Sequence, residues 1–377
     1  MANAFQKYHL LRILDLFEGE TLPLDIFLSH YFRANKAVGA KDRRTICEAI
    51  YGMIRWCGLL DHLLPKPPTW ESRFSLFTSI NPHDFLQKEE IPAHIRVSFP
   101  KEFFQILERA FGEKKAQELC LASNQTAPTT IRVNSTKISR DSLLEKWKEL
   151  YSVSPSTISP DGIIFHKKIN FFSLPEFKEG LFEIQDEGSQ LVASLLEIVP
   201  GQQILDYCAG SGGKTLAFAP QTKKRGQIFL HDIRPRALLE AKKRLKRAGI
   251  HNAQILLPTD THKETLKGRM DWVLVDAPCS GSGTLRRNPD MKWKFSSELL
   301  ERVVQEQRKI VTEALDYLSP KGHLVYATCS ILPQENEEQV AFFEKELPLL
   351  CIKPPFSSTP QKGGMDGFFG AVFRRRS

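Results

Sequence analysis

Apolar residues fall three and four positions apart in ILDLF (13–17), DIFLSHYF (25–32), CEAIYGMIRW (47–56), LLDHLL (59–64) and EFFQILERAF (102–111). This spacing predicts helices, broken by Pro65, Pro67, Pro68 and Pro82, and no glycine-rich loop follows a strand there. Residues 1–121 therefore read as an all-α bundle, with Arg43, Arg44 and Arg55 on a solvated face. From Thr130 the period changes: TIRVN, the helical SRDSLLEKWKELY and GIIFH predict a small α+β unit over 122–180. Over 181–377, QILDY, QIFLHD, AQILLP, DWVLVDAP and HLVYATC are β-rich apolar runs separated by helical segments. Strands alternating with helices predict an α/β, doubly wound, mostly parallel sheet. The basic run in AKKRLKRAGI, Lys242 to Arg247, lies on a predicted helix and reads as a solvated outer face.

Composition adds little to this pattern and contradicts none of it. A chain of 377 residues with 41% hydrophobic and 25% charged residues is long enough for two or three folded units. The net charge of +8 favours a polyanionic partner such as nucleic acid. Seven scattered cysteines without a C-x-x-C pair imply reduced thiols in the cytoplasm and no metal site. MANAFQKYHLLRIL lacks the features of a signal peptide, and no long apolar run occurs, so a cytoplasmic chain without a membrane partner is expected. A monomer is the default.

QILDYCAGSGGKT (203–215) is a predicted strand running into a glycine turn that opens a helix. Gly210, Gly212 and Gly213 allow close backbone approach to a ligand. Asp232, ending QIFLHD, is placed to accept from a ribose diol. The glycine spacing is not that of a dinucleotide fingerprint. Asp206, Asp232, Asp260 and Asp276 are each expected at the carboxyl end of a strand, and four acids on one ligand-facing edge favour S-adenosylmethionine.

Cys279 in VLVDAPCSGSGTLRRNPDMKW and Cys329 in GHLVYATCSILPQENE stand just beyond the strands of that same edge. C5 of cytosine becomes nucleophilic only after a thiolate adds to C6, and a base must later remove the C5 proton. Cys47, Cys57, Cys120 and Cys351 have no such company and read as inert thiols. The residues themselves do not say which of Cys279 and Cys329 attacks. Arg286, Arg287, Asp290 and Trp293 read equally as RNA contacts or as a structural loop.

DAPCSGSG with RRNPDMKW, YATCSILPQENE, the terminal DGFFGAVFRR, QDEGSQ, IRVNSTK and AKDRRTICEAIYGMIRWCGLLDHLL together resemble the Sun/Fmu family of RNA 5-methylcytosine methyltransferases, in its bacterial small-subunit ribosomal branch. The resemblance implies a NusB-like helical RNA-binding domain over 1–121, a ferredoxin-like linker domain over 122–180 and a Rossmann-like methyltransferase domain with a seven-stranded sheet over 181–377. It implies Cys329 as the nucleophile and Cys279 as the thiol assisting product release. It places S-adenosylmethionine on Cys208, Ala209, Gly210, Ser211, Gly212, Gly213, Lys214, Asp232, Asp260 and Asp276, without a metal. Asp276 would also hydrogen-bond the cytosine edge, and the substrate would be small-subunit ribosomal RNA. The family's loop usually reads CAAPGGK where this chain has CAGSGGK, a change expected to loosen the unbound loop. Gly188 likewise replaces a usual alanine. A transfer RNA or DNA methyltransferase, a non-catalytic RNA-binding assembly factor and an NAD-linked oxidoreductase are the alternatives.

Overall fold

The helical spacing at the start of the chain is realised as Ala4–Phe17, Leu24–Ala34, Ala40–Leu63, Trp70–Ser79, Lys101–Phe111 and Glu113–Ser123, with shorter turns between. The structure, a computed structural model, describes residues 3–376. It separates into a unit made of Met1–Thr126 with Thr284–Leu299 and a unit made of Ala127–Gly283 with Leu300–Ser377.

In the first unit, Asn3 and Gln6 form a reciprocal capping box that satisfies two free N–H groups where the chain enters its first helix. Leu10, Ile13 and Leu14 of that helix bury their apolar stripe against Ile46, Ile50, Met53 and Ile54. CEAIYGMIRW and LLDHLL fuse into the single helix Ala40–Leu63, with Gly58 in its interior. A Cβ at Gly58 would come within 2.8 Å of the Trp293 ring, so this helical glycine permits a close approach. Trp293 Nε1 donates to the Ile54 carbonyl at 2.8 Å. The segment 284–299 is thus integral to the helical unit. Lys292 is 1% exposed, and its ammonium donates to the carbonyls of Arg55 and Ser98 and to Asn124 Oδ1 at 2.7, 2.6 and 2.7 Å.

The second unit opens with strands β1 (Thr129–Val133), β2 (Val153–Pro155), β3 (Gly162–Phe165) and β4 (Phe182–Ile184). They form an antiparallel sheet in the order β2-β3-β1-β4. Trp147, fully buried, packs edge-on against Phe165 and Phe182 beneath it.

The remaining strands are β5 (Gln203–Asp206), β6 (Gln227–His231), β7 (Ala253–Leu256), β8 (Met270–Asp276), β9 (Leu318–Thr328), β10 (Leu349–Cys351), β11 (Phe356–Ser357) and β12 (Phe369–Arg375). Seven of them run in the order β10-β12-β9-β8-β5-β6-β7, and the two-residue β11 pairs with β12 beside this path. The ladder from β9 through β8, β5 and β6 to β7 is parallel, whereas β12 runs antiparallel to both of its neighbours, β9 and β10. Both faces are buried: Leu205, Val273, Val275, Leu324 and Tyr326 point into one apolar layer, and Ile204, Leu274, Val325 and Val372 into the other. Central parallel strands covered on both sides need continuous apolar runs, as VLV and LVYA supply. The order reverses at β5, so the carboxyl ends of β5 and β8 flank the crevice where such sheets bind ligands.

Two local expectations change. Strand β7 ends at Leu256, and Asp260 instead caps a 3-10 turn, accepting from the His262 N–H at 2.9 Å. In the basic helix Pro235–Ala248, Lys242, Lys243 and Lys246 are exposed as expected, but Arg244 and Arg247 turn inward onto the buried Glu183 carboxylate.

Candidate active site

Strand β5 delivers Asp206, 1% exposed, to the start of the glycine loop. Its Oδ2 accepts from Thr215 Oγ1 at 2.6 Å, while Oδ1 is buried without a partner. Burial, reinforced by Asp276, pushes this carboxyl up to about 7. Gly210 (φ +53°) and Gly212 (φ +78°) take the left-handed turn, which disfavours other residues. The Gly210 N–H donates to Asp232 Oδ2 at 2.8 Å. Arg234 also engages both Asp232 oxygens, but its own side chain is 68% exposed and can leave them to an incoming diol.

The serine at the family's proline position is held from outside the loop. Arg244 Nη1 donates to the Ser211 carbonyl and to Ser211 Oγ at 2.9 and 2.7 Å. The same guanidinium donates to Glu183 Oε2 at 2.9 Å. The loop's order therefore comes from this clamp in place of a pyrrolidine ring. Gly188 has a local reason too: a Cβ there would lie 2.5 Å from the Phe368 ring.

At the neighbouring strand end, Asp276 Oδ2 pairs with Lys214 Nζ at 2.6 Å. Burial alone would lower the Lys214 pKa, but the adjacent Asp276 carboxylate overturns this and holds the ammonium above its ordinary range. Lys214 Nζ also lies 5.8 Å from the Phe368 ring centre.

Cys279 and Cys329, both partly exposed, follow the parallel strands β8 and β9, and their sulfurs are 3.3 Å apart. The Cys329 thiol is held below its ordinary pKa, first by the hydrogen bond from Cys279 and further by the positive charge of Lys214. Cys279 is held above it, by that same bond and by burial. The two thiols thus differ in acidity in the order that makes Cys329 the more readily ionised of the pair.

The fold brings together Asp206, Cys208 to Lys214, Asp232, Asp276, Cys279 and Cys329 at one sheet edge, with Asp260 on the turn beyond β7. Arg286 and Asp290 are buried in the helical unit, and Trp293 is half-buried there. These placements favour a structural loop over exposed RNA contacts. Glu335, fully buried and accepting from the serines that follow both cysteines, was not legible as a site residue in the sequence. Its only signal was an acid inside the ILPQENE segment.

The doubly wound sheet and its cofactor edge define a Rossmann-like S-adenosylmethionine-dependent methyltransferase fold. A family model described as "16S rRNA methyltransferase RsmB/F" matches residues 193–374, and one described as "Methyltr_RsmF/B-like, ferredoxin-like domain" matches residues 99–171. The chain is 30% identical over 390 residues to a "Ribosomal RNA small subunit methyltransferase B" of Escherichia coli, covering 89% of each chain. It is 32% identical over 295 residues to the protein of that name in Pseudomonas syringae, spanning 74% of this chain and 66% of that relative's length. A solved "Methyltransferase Homolog Protein from Pyrococcus Horikoshii" shares 26% identity at a TM-score of 0.64, over 78% of this chain and 98% of that one. The chain belongs to the RsmB/F family of ribosomal RNA methyltransferases.

The residues present fit the cofactor. Asp206 has an unpartnered buried oxygen that would suit the methionine ammonium, Asp232 has carboxylate oxygens that would suit the ribose, and a Cβ at Gly213 would meet nothing within 4 Å. Among the described residues no helix is long and apolar enough to cross a membrane, and no cluster of His, Cys, Asp and Glu is arranged to hold a metal ion.

Proposed function

We propose that this chain methylates C5 of a cytosine in small-subunit ribosomal RNA, with Cys329 adding to C6 and Cys279 assisting release. The observation that carries this reading is the pair of thiols 3.3 Å apart, one held low and the other high in pKa, beside the Lys214–Asp276 pair. S-adenosylmethionine, bound by the glycine loop, Asp206 and Asp232, supplies the methyl group.

A Cys329 thiolate adding to C6 turns the C5–C6 bond into an enamine that is nucleophilic at C5. Asp276, 34% exposed and already paired with Lys214, is positioned to hold the N3–N4 edge of the base as charge develops there. Once Cys329 is bonded to carbon it no longer accepts as a thiolate, so the largest cause raising the Cys279 pKa disappears. After methyl transfer C5 carries both the methyl group and a proton; Cys279, its own proton passed to solvent, takes the C5 proton, and cleavage of the C6–S bond returns Cys329 as a thiolate. The target base must leave its stack to reach this edge. The helical and ferredoxin-like parts supply the RNA-binding surface in this reading, and the net charge of +8 is consistent with it.

The test is transfer of labelled methyl groups into unmodified small-subunit RNA, naked or in partly assembled subunits, with bisulfite mapping of the product. Incorporation at one cytosine is expected. Label in transfer RNA alone would move the substrate, and no incorporation anywhere would remove the enzymatic reading in favour of an assembly factor.

A further inference from the structure

Both proposed thiols are followed by serine, and both serines end on one carboxyl group. Glu335 Oε2 accepts from Ser280 Oγ and from Ser330 Oγ, each at 2.5 Å. Its Oε1 accepts from the Ser280 N–H at 2.8 Å and from Gln307 Nε2 at 3.0 Å. Gln307 Nε2 also reaches the carbonyl of Pro278, the residue before Cys279, at 3.0 Å. The backbone of Glu335 is itself fixed, since its carbonyl accepts from Tyr326 Oη on β9 at 2.7 Å. Four donors on two oxygens use every lone pair of the carboxylate.

This is more polar machinery than a buried turn needs. Taking a carboxylate out of water is costly unless every lone pair is used, and a serine-to-glutamate pair could be replaced by apolar packing at little loss. What the arrangement does secure is register. The loops after β8 and β9 come from residues 50 apart, and their sulfurs must meet within hydrogen-bonding distance.

We propose that Glu335 is a positioning residue for both thiols: by gripping the residue after each cysteine, it fixes the 3.3 Å contact between Cys279 and Cys329. The assignment rests on the two-thiol reading above. Its negative charge disfavours a thiolate on either cysteine, so what it contributes to their asymmetry is the contact between them. Glu335→Gln keeps the shape but turns one oxygen into a donor, so either both serine hydroxyls lose their shared acceptor or the Ser280 N–H and Gln307 Nε2 lose theirs, and the grip on the loops is loosened.

The test follows alkylation of the native full-length chain by iodoacetamide from pH 6 to 10, resolving the Cys279 and Cys329 peptides by mass spectrometry. This readout needs neither RNA nor cofactor, so it survives failure of the methyltransferase reading. Native protein is expected to react first at Cys329. In Glu335→Gln the loss of the thiol–thiol bond raises the Cys329 pKa and lowers that of Cys279, cutting the Cys329 preference by about tenfold, the effect of one pKa unit. Methyl transfer should lose kcat while KM for S-adenosylmethionine holds. A folded Glu335→Gln chain that keeps the native preference and the native pH profile overturns the proposal, whether or not activity falls. Should that variant not fold, Ser280→Ala and Ser330→Ala each remove one grip while leaving the charge, and an unchanged preference in both overturns it equally.

Discussion

The sulfurs of Cys279 and Cys329 lie 3.3 Å apart at the ends of adjacent parallel strands, and the hydrogen bond between them separates their acidities in opposite directions. Cys329→Ala is expected to reduce methyl transfer by about 10³-fold or more, the scale for losing a nucleophile. Cys279→Ala should instead accumulate a covalent enzyme–RNA adduct on a denaturing gel. An adduct that formed in the Cys329 variant and not in the Cys279 variant would reverse the assignment.

The same pair sets a pH dependence. Cys329 is held below its ordinary value of 9.0 by the bond from Cys279. Its alkylation rate should therefore rise with pH through a midpoint below 9, and that midpoint should move upward in Cys279→Ala, where the bond is gone. An unmoved midpoint would show that the bond does not set the acidity.

Asp206 links cofactor binding to stability. Burial raises its carboxyl from 3.8 to about 7. A folded pKa above the unfolded one gives a contribution that is full below the unfolded value and is lost as pH rises through the folded one. The cofactor-free Asp206→Asn variant should match the native stability at acid pH and exceed it at pH 8, by a difference on the order of a few kcal/mol that is read as a higher melting temperature. The variant should also bind S-adenosylmethionine about tenfold more weakly by calorimetry, because a charged hydrogen bond to the ammonium is lost. Equal melting curves across the whole pH range would contradict this.

Arg244 substitutes for a proline. Arg244→Ala releases both Ser211 contacts, and S-adenosylmethionine affinity is expected to fall about three- to tenfold, the worth of one or two hydrogen bonds. Ser211→Pro should not improve on the native loop, since proline disfavours the left-handed conformation of the preceding Gly210. Titration calorimetry on both variants decides it.

Lys292 is the stability test for the helical unit. Lys292→Met fills the same space but strands three acceptors, and about 2 to 5 kcal/mol of destabilisation is expected, read as a lower urea midpoint. A neutral outcome would mean that water reaches those carbonyls.

The sequence by itself determined most of the elements and pointed to the candidate reacting groups. Helical spacing before residue 121, β-rich runs after 181, the glycine turn and the acids at 206, 232 and 276 were legible because each is a local consequence of period, turn chemistry or strand termination. Tertiary structure decided the relations among groups distant in the chain. Cys279 and Cys329 are equivalent as letters and become unequal only when one donates to the other beside Lys214. RRNPDMKW lies between two methyltransferase strands in sequence yet is buried among the N-terminal helices, because Lys292 and Trp293 find their acceptors there. Arg244 looked like one of a solvated basic run until Glu183 and Ser211 came within its reach. Glu335 gave no periodic or compositional signal, because its significance lies in two serines brought to it by adjacent strands, and strand pairing is a property of the whole sheet.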